Sequence, residues 1–301
     1  MDNYPMYPYF GKQLKCQEEP LSFPPQQQPQ QPGLEYLMTP RPIFENPGYI
    51  GSRKLQDRVA IVTGGDSGIG RAVSVAFAKE GADVVIAYLN EHRDADETRA
   101  RIEQLGRRCL ALPMDLRSKA ANLAVVEQTL QQFGRLDIVV NNISIQFPQS
   151  SILDISEEQL EQTFRTNIFS IFFMVQAALP YLKDGSSIIN TASILAYQGQ
   201  KFLIDYSSTK GAVVTFTRSI AQSLTEQGIR VNAVAPGPIW TPLVASTFPV
   251  EFLITLGIDT PMKRAGQPFE VAPTFVYLAS DDSRYVTGQT LHVNGGYLMS
   301  S

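Results

Sequence analysis

A tyrosine and a lysine stand four residues apart in the segment 205–211, as Tyr206 and Lys210. If this segment begins a helix, the two side chains share one face, one turn apart. A phenol with a pKa near about 10 is a poor base at neutral pH, but a neighbouring ammonium group favours phenolate and lowers that pKa. Such a pair can give a proton to a carbonyl oxygen or take one from an alcohol.

Two further polar residues occur where they could serve the same chemistry. Ser193 follows an apolar run at 187–190 that predicts a strand, and it precedes Tyr206 by 13 residues. Its hydroxyl could hydrogen-bond a substrate oxygen. Asn167 interrupts the apolar pattern of a long helix predicted over about 157–182. A helix cap for Ser193, a kink or surface position for Asn167 and a solvated face for Lys210 are the structural alternatives.

A glycine-rich turn lies far upstream of these residues. Gly64, Gly68 and Gly70 stand between an apolar run at 58–63 and a helical pattern at 70–80. Glycines between a strand and a helix permit a tight turn and let backbone N–H groups approach a pyrophosphate. The spacing differs from the commoner G-x-G-x-x-G fingerprint in the place of the middle glycine.

With this turn, Ser193 and the Tyr206/Lys210 pair, the sequence resembles the short-chain dehydrogenase/reductase superfamily over about residues 55–297. The resemblance implies an NAD(P)-dependent oxidoreductase that transfers hydride between nicotinamide and a small aldehyde, ketone or secondary alcohol. It implies Tyr206 as general acid/base and Ser193 as the group that holds the substrate oxygen. Asn167 would hold a water that links Lys210 to solvent and would complete a catalytic tetrad.

The resemblance also implies a set of cofactor contacts, with Asp115 at the adenine ring and Thr241 at the carboxamide. The expected cofactor-binding residues are Gly64, Asp66, Ser67, Gly68, Ile69, Gly70, Tyr88, Leu89, Asn90, Asp115, Leu116, Asn142, Ile143, Tyr206, Lys210, Pro236, Gly237, Ile239 and Thr241. Ile143 and Ser144 depart from the family's usual Asn-Asn-Ala-Gly. NAD and NADP both stay open, because Arg71 and Arg93 could meet a 2′-phosphate whereas Glu91 would repel one.

The substrate pocket is expected to be mainly apolar. The family places a lid over 240–261, and this segment is rich in aliphatic and aromatic residues. Ser193, Leu195 and Trp240 are the predicted pocket residues, with burial in the core as the alternative for Trp240.

Strand and helix patterns alternate from residue 54 onward, with apolar runs at 58–63, 83–88, 109–112, 137–140, 187–190, 231–234 and 290–293. Fully apolar strands between helices predict an α/β fold, a single Rossmann-type doubly wound parallel sheet of about seven strands with helices on both faces. Residues 1–50 form a Pro/Gln-rich N-terminal arm, expected to be extended or partly disordered. The oxidoreductase domain is expected to span 51–301.

Charge and composition limit the classes of ligand and partner that the sequence predicts. A formal net charge of −4 argues against nucleic acid as a partner. The longest apolar stretch, 168–182, is too short and broken to span a membrane, and His92 and His292 lack metal-ligand spacing. Two cysteines, Cys16 and Cys109, give no disulfide framework, so a cytoplasmic location is expected.

The surplus apolar surface of the 205–227 helix predicts a homo-oligomer, a dimer or tetramer, and the arm could cross onto a neighbouring subunit. The leader, the segments 42–47 and 88–92 and the segment 237–242 resemble the bacterial general-stress oxidoreductases, which implies a stress setting. A cofactor-binding regulator with little catalysis and a structural protein that binds through its leader are the alternatives.

Overall fold

Seven parallel strands form the sheet that organises the chain. The computed structural model describes residues 13–14 and 18–299. The strands are β1 (Val59–Thr63), β2 (Asp83–Tyr88), β3 (Cys109–Pro113), β4 (Ile138–Asn141), β5 (Ser187–Thr191), β6 (Arg230–Pro236) and β7 (Thr290–Val293). They lie side by side in the order β3-β2-β1-β4-β5-β6-β7. The predicted Rossmann-type sheet is confirmed, and its order reverses between β1 and β4, where ligands bind in folds of this kind.

Alternate strand residues face two separate cores, which explains why the strands read as continuous apolar runs. In β1, Ala60 and Val62 pack with one group of helices and Ile61 with the other. Side chains of a strand alternate between the two faces, so both faces must be covered. Helices therefore lie on each side, as the alternation predicts.

The structure divides the helical regions into more and shorter helices than the sequence pattern indicates. They are α1 (Gly68–Lys79), α2 (His92–Gln104), α3 (Lys119–Phe133), α4 (Glu157–Phe164), α5 (Ser170–Ala178), α6 (Leu195–Gln198), α7 (Ile204–Leu224), α8 (Pro242–Ala245), α9 (Val250–Ile254) and α10 (Pro268–Ala279). Helices α1, α2 and α10 cover one face of the sheet, and α3, α5 and α7 cover the other.

The long helix predicted over about 157–182 is not one α-helix. Between α4 and α5 the segment Arg165–Phe169 has π-helical turns, and Leu179–Tyr181 closes the run as a 3-10 turn. A π-helical stretch inserts an extra residue per turn and redirects the side chains around it. Asn167 lies at its centre, so the polar residue in the apolar pattern marks this break.

Residues 20–50 lie along the body of the same chain. The segment 20–33 forms neither helix nor strand and turns through several bends. The Gln28 N–H donates to the Ala245 carbonyl at 2.9 Å, and the Phe269 N–H donates to the Ile43 carbonyl at 3.1 Å. These contacts are made within one chain, and the crossing of the arm onto a neighbouring subunit stays a prediction. Residues 1–12 and 15–17, which include Cys16, lie outside the described residues.

Trp240 is buried under this arm and does not line a pocket, which corrects the prediction. Its ring is 0% exposed and stacks on Phe23 at 3.8 Å between ring centroids. The indole N–H donates to the Pro40 carbonyl at 2.9 Å, so the one polar atom of the ring is satisfied. The arm thus supplies the apolar partner that turns a predicted pocket residue into a core residue.

Within the described residues, no helix has the length and apolar character that a membrane span requires, and no cluster of metal-ligating side chains is present.

Candidate cofactor and substrate site

A cleft of about 580 Å³ opens at the carboxyl ends of the parallel strands. Most of the residues predicted to bind cofactor or substrate line it: Gly64, Asp66, Ser67, Gly68, Ile69, Tyr88, Leu89, Asp115, Leu116, Asn142, Ile143, Ser193, Leu195, Tyr206, Lys210, Pro236, Gly237, Ile239 and Thr241. Gly70, Asn90, Asn167 and Trp240 are not among the lining residues. The fold therefore gathers residues from six of the seven strand ends into one space.

The glycine turn is shaped by its close backbone contacts. A Cβ at Gly70 would lie 1.8 Å from the Gly64 carbonyl oxygen, so only glycine lets the turn close on itself. Gly64 and Gly68 have φ values of +65° and +51°, a region that glycine adopts without strain. Gly70 does not line the cleft because it serves this closure.

The start of α1 fits a dinucleotide phosphate. The first N–H groups of a helix have no acceptor inside the helix, and the helix dipole favours an anion there. Ser67, Gly68 and Ile69 present this end to the cleft. Thr241 lies against the turn, since a Cβ on Gly68 would lie 3.3 Å from the Thr241 Cβ. The residues present therefore suit the pyrophosphate of a nicotinamide dinucleotide.

Arg71 is not available to a 2′-phosphate, contrary to the possibility raised from the sequence. Arg71 is only 1% exposed to solvent. Its guanidinium pairs with Glu35 at 2.8 Å and donates to the Asp66 carbonyl at 2.9 Å and the Asp94 carbonyl at 2.7 Å. Arg93 has a mostly exposed side chain and lies over the Tyr36 ring at 4.4 Å.

Two carboxyl groups lie where the end of β2 meets the cleft. Glu91 accepts hydrogen bonds from the N–H groups of Leu89 at 3.1 Å and Asn90 at 2.8 Å. Burial, together with the nearby Glu91 charge, raises the pKa of Asp66 to about 8. Asn90 itself is exposed and does not line the cleft.

Asp115 and Asn142 flank this end of the cleft. The hydrogen bond from the Arg117 side chain lowers the pKa of Asp115, and the two groups pair at 2.6 Å. The Asn142 N–H donates to the Thr63 hydroxyl at 2.8 Å, which ties the end of β4 to the end of β1. Ile143 fits beside Gly64, so its departure from the family pattern leaves the turn intact.

Tyr206 and Lys210 share one face of α7 at the other end of the cleft, as their spacing predicts. The Lys210 ammonium nitrogen lies 5.5 Å from the centroid of the Tyr206 ring and donates to the Thr191 carbonyl at 2.9 Å. Burial raises the pKa of Tyr206 to about 12 and lowers that of Lys210 to about 7. A buried site favours the uncharged form of each group, so the phenol pKa lies above its usual value, contrary to the lowering expected from the Lys210 ammonium.

Ser193 and Ser144 oppose the rise in the Tyr206 pKa. Both side chains act on the phenol by hydrogen bonding that favours its ionised form. The Ser193 hydroxyl also accepts the Leu195 N–H at 3.1 Å. The buried Ser144 oxygen makes no hydrogen bond of normal geometry among the described residues, so its interaction with the phenol is a loose one. Its place was visible in the sequence only as a departure from Asn-Asn-Ala-Gly.

Asn167 reaches the site through other residues. Its side chain accepts the Ile145 N–H at 2.9 Å and donates to the Ile145 carbonyl at 2.9 Å. Its amide also donates to the Thr209 hydroxyl at 3.1 Å. Asn167 therefore joins the loop that follows β4 to the turn of α7 between Tyr206 and Lys210.

Three lining residues come from the arm and were missed by sequence reasoning. Gln31, Pro32 and Gly33 form part of the cleft wall. The Gln31 amide donates to the Gln146 carbonyl at 2.6 Å and accepts the Gln146 N–H at 3.3 Å. A Pro/Gln-rich composition carries no local signal for such a contact, because its partner lies 115 residues away.

Comparison with known proteins agrees with this geometry. The family pattern described as Enoyl-(Acyl carrier protein) reductase matches residues 64–298. The uncharacterized oxidoreductase YhdF of Bacillus subtilis is 61% identical over 92% of this chain and 96% of its own length. General stress protein 39 of the same organism is 54% identical over 94% of this chain and 99% of its own length. NADPH-dependent aldehyde reductase 1, chloroplastic, of Arabidopsis thaliana is 48% identical over 92% and 98%.

Solved structures share the fold. A short-chain dehydrogenase from Burkholderia cenocepacia in complex with NADP has a TM-score of 0.77 at 31% identity, over 81% of this chain and 99% of that one. A short-chain dehydrogenase from Mycobacterium paratuberculosis bound to NAD has a TM-score of 0.74 at 32% identity, over 81% of this chain and 98% of that one.

Proposed function

Since this chain belongs to the short-chain dehydrogenase/reductase family of NAD(P)-dependent oxidoreductases, we propose that it transfers hydride between nicotinamide and a small aldehyde, ketone or secondary alcohol, with Tyr206 as general acid/base. One observation carries the proposal. Tyr206, Lys210 and Ser193 line the same cleft as the glycine turn, so proton transfer and dinucleotide binding can serve one substrate.

Each catalytic residue has a defined task in this proposal. A bound nicotinamide supplies the hydride in reduction and accepts it in oxidation. The Tyr206 hydroxyl gives its proton to the carbonyl oxygen of the substrate, and phenolate takes a proton from an alcohol in the reverse direction. The Ser193 hydroxyl hydrogen-bonds the same substrate oxygen and holds it beside the phenol.

Lys210 balances the charge of the phenolate. The lowered pKa of Lys210 lets its ammonium group lose a proton near neutral pH. When that proton passes to the phenolate, both groups become uncharged, so no net charge is left in the buried site. Asn167 would keep the proton path open by holding Ile145 and Thr209 in place. A water held by Asn167 stays a prediction from the family resemblance.

The substrate end of the cleft favours apolar carbonyl compounds. Leu195, Leu243, Phe248 and Phe252 line it, together with Phe147. The Arabidopsis relative is named for aldehyde reduction, and a carrot relative, 49% identical, is named glucose and ribitol dehydrogenase. The apolar lining supports the aldehyde over the polyol. NAD and NADP both stay open.

The remaining sequence predictions become part of this proposal. Residues 51–301 would form the oxidoreductase domain and 1–50 its arm. A homo-oligomer is supported by half-exposed apolar side chains around the start of α5, where Phe169, the residue before the helix, is 40% exposed and Phe172 is 44% exposed. Light scattering measures the subunit number. The relation to General stress protein 39 supports a stress setting.

Turnover with NADH and NADPH, measured side by side over aldehydes, ketones, polyols and an enoyl thioester, tests the reaction class. Tyr206→Phe should lower kcat by at least about 10³-fold, because the variant has no proton to transfer. Its dissociation constant for the reduced cofactor, measured by nicotinamide fluorescence, should stay within about twofold of the original.

Tyr197→Phe is the matched control, since Tyr197 is a neighbouring tyrosine that does not line the cleft. It should keep the original kcat. A Tyr206→Phe variant that turns over at the original rate would refute the assignment of the acid/base.

A further inference from the structure

The arm reaches the glycine turn with a buried carboxylate. Glu35 begins the 3-10 turn Glu35–Leu37 and is 0% exposed. Its carboxylate accepts the Gly68 N–H at 2.6 Å, at the first residue of α1. Glu35 is not among the cleft-lining residues, whereas Gly68 is, so the carboxylate holds the turn from behind.

The same carboxylate is held by the arginine of the glycine turn. Arg71 pairs with Glu35 at 2.8 Å and donates to the Asp66 carbonyl at 2.9 Å. Glu35 therefore contacts the turn at Gly68 directly and at Asp66 through Arg71. Burial raises the pKa of Glu35, and the ion pair with Arg71 and the Gly68 hydrogen bond oppose that shift.

A second helix start fixes the arm from the opposite side. Asp94, in the first turn of α2, accepts the Glu35 N–H at 2.7 Å and the Tyr36 N–H at 3.1 Å. Arg71 also donates to the Asp94 carbonyl at 2.7 Å. Glu35 thus lies between the starts of α1 and α2, the two helices that follow the strands at the nucleotide end of the cleft.

This arm is an addition to the fold. About four fifths of the chain, 81%, matches nearly all of the Burkholderia structure, and the family pattern begins at residue 64. The B. subtilis relative YhdF, in contrast, is matched over 92% of this chain. Glu35 therefore lies outside the part of the chain that the family pattern matches, although its carboxylate contacts the glycine turn inside that part.

We propose that Glu35 is a positioning residue for the nucleotide site: carried by the arm in cis, its carboxylate fixes the glycine turn in the shape that receives the pyrophosphate. The inference rests on the proposed function, because it assumes that the turn binds the nicotinamide dinucleotide. Glu35 holds Gly68 and Arg71 from the side away from the cleft, while Ser67 and Ile69 present the start of α1 to the phosphate. Nucleotide affinity therefore depends on the arm.

Glu35→Gln in the full chain tests this directly. Gly68 N–H and Arg71 are both donors, and a glutamine side chain has one acceptor atom where the carboxylate has two, so one contact must be lost. The dissociation constant for NADH and NADPH should rise about tenfold, the size expected when a hydrogen bond to a charged group is lost. At saturating cofactor, kcat should stay within about twofold, since the catalytic end is untouched.

Glu45→Gln is the matched control. Glu45 is also an arm carboxylate, paired with Arg101 at 2.7 Å and Lys79 at 2.8 Å, and it lies away from the cleft. It should lower Tm without changing the nucleotide dissociation constant. If it raises that constant as much as Glu35→Gln does, the effect is general loosening of the arm and the inference fails.

Amide hydrogen exchange at residues 64–70 gives a readout independent of activity. Exchange should speed up in Glu35→Gln and stay unchanged in Glu45→Gln. If Glu35→Gln does not fold, Glu35→Asp, whose carboxylate is one carbon shorter, is measured in the same way. Original affinity and original exchange in the folded Glu35 variant would overturn the inference alone. An original protein that binds neither nucleotide would overturn the proposed function as well.

Discussion

The groups that hold the arm at the nucleotide end and the groups at the catalytic end of the cleft differ in how their buried charges are partnered. At the nucleotide end, burial raises the pKa values of Glu35 and Asp94, and Arg71 pairs with both and opposes that shift. At the catalytic end, burial pushes both Tyr206 and Lys210 toward their uncharged forms. Paired charges hold a backbone shape, because breaking a buried pair leaves an uncompensated charge. At the catalytic end, the lowered pKa of Lys210, about 7, leaves a proton there that can move near neutral pH.

Among the variants that keep Tyr206, Lys210→Met should have the largest effect on the catalytic end. Without the amine beside the phenol, phenolate loses its nearby positive charge, and alcohol oxidation at neutral pH should fall about 10²-fold. The acid limb of the pH profile of kcat/KM should move to higher pH. Lys201→Met is the control, because Lys201 also lies over an aromatic ring, at 4.7 Å from Phe202, outside the cleft lining. Equal loss in both variants would contradict the role of Lys210.

Ser144→Gly should lower the rate of alcohol oxidation by a smaller factor than Lys210→Met does. It restores the residue that the family pattern has at this place and removes one hydroxyl that favours phenolate. Alcohol oxidation at neutral pH should fall about three- to tenfold, with the acid limb moved up by about half a pH unit to one unit.

Ser74→Ala is the control for Ser144→Gly, because it removes a buried serine hydroxyl that lies outside the cleft. The Ser74 hydroxyl is buried in α1 without a hydrogen-bond partner among the described residues, and it lies outside the cleft lining. The pH profile should not move. If Ser144→Gly leaves the profile unchanged too, Ser144 has no part in proton transfer.

Asp66→Asn tests the one carboxyl at the nucleotide end whose pKa rises to about 8. Its pKa in the unfolded chain is about 3.9. The folded state therefore binds the proton more tightly, and the contribution of Asp66 to stability is full below about pH 4 and lost as the pH rises to about 8. Between pH 5 and pH 8 this contribution falls by about 1.4 kcal/mol per pH unit, so urea unfolding should show a decrease in stability that is smaller in the variant by about 3 to 4 kcal/mol. The same decrease in both proteins would show that Asp66 is ionised throughout this range.

The local pattern of the sequence determined the architecture and most of the cleft. Continuous apolar runs between helices are enough to predict a parallel sheet, because strands buried on both faces need no polar face. The spacing of Tyr206 and Lys210 predicts a shared helix face, and the glycines at 64–70 predict a tight turn. Each of these signals lies within a few residues of the place where it acts.

Only the tertiary structure decided what the arm does. Trp240 becomes a core residue because Phe23, more than 200 residues earlier in the chain, stacks on it. Arg71 is lost to a 2′-phosphate because Glu35 pairs with it across 36 positions of sequence. Asn167 turns toward Ile145 because the helix changes to π-helical turns around it. A contact between distant residues depends on how whole elements pack, and the local sequence around either partner carries no record of it.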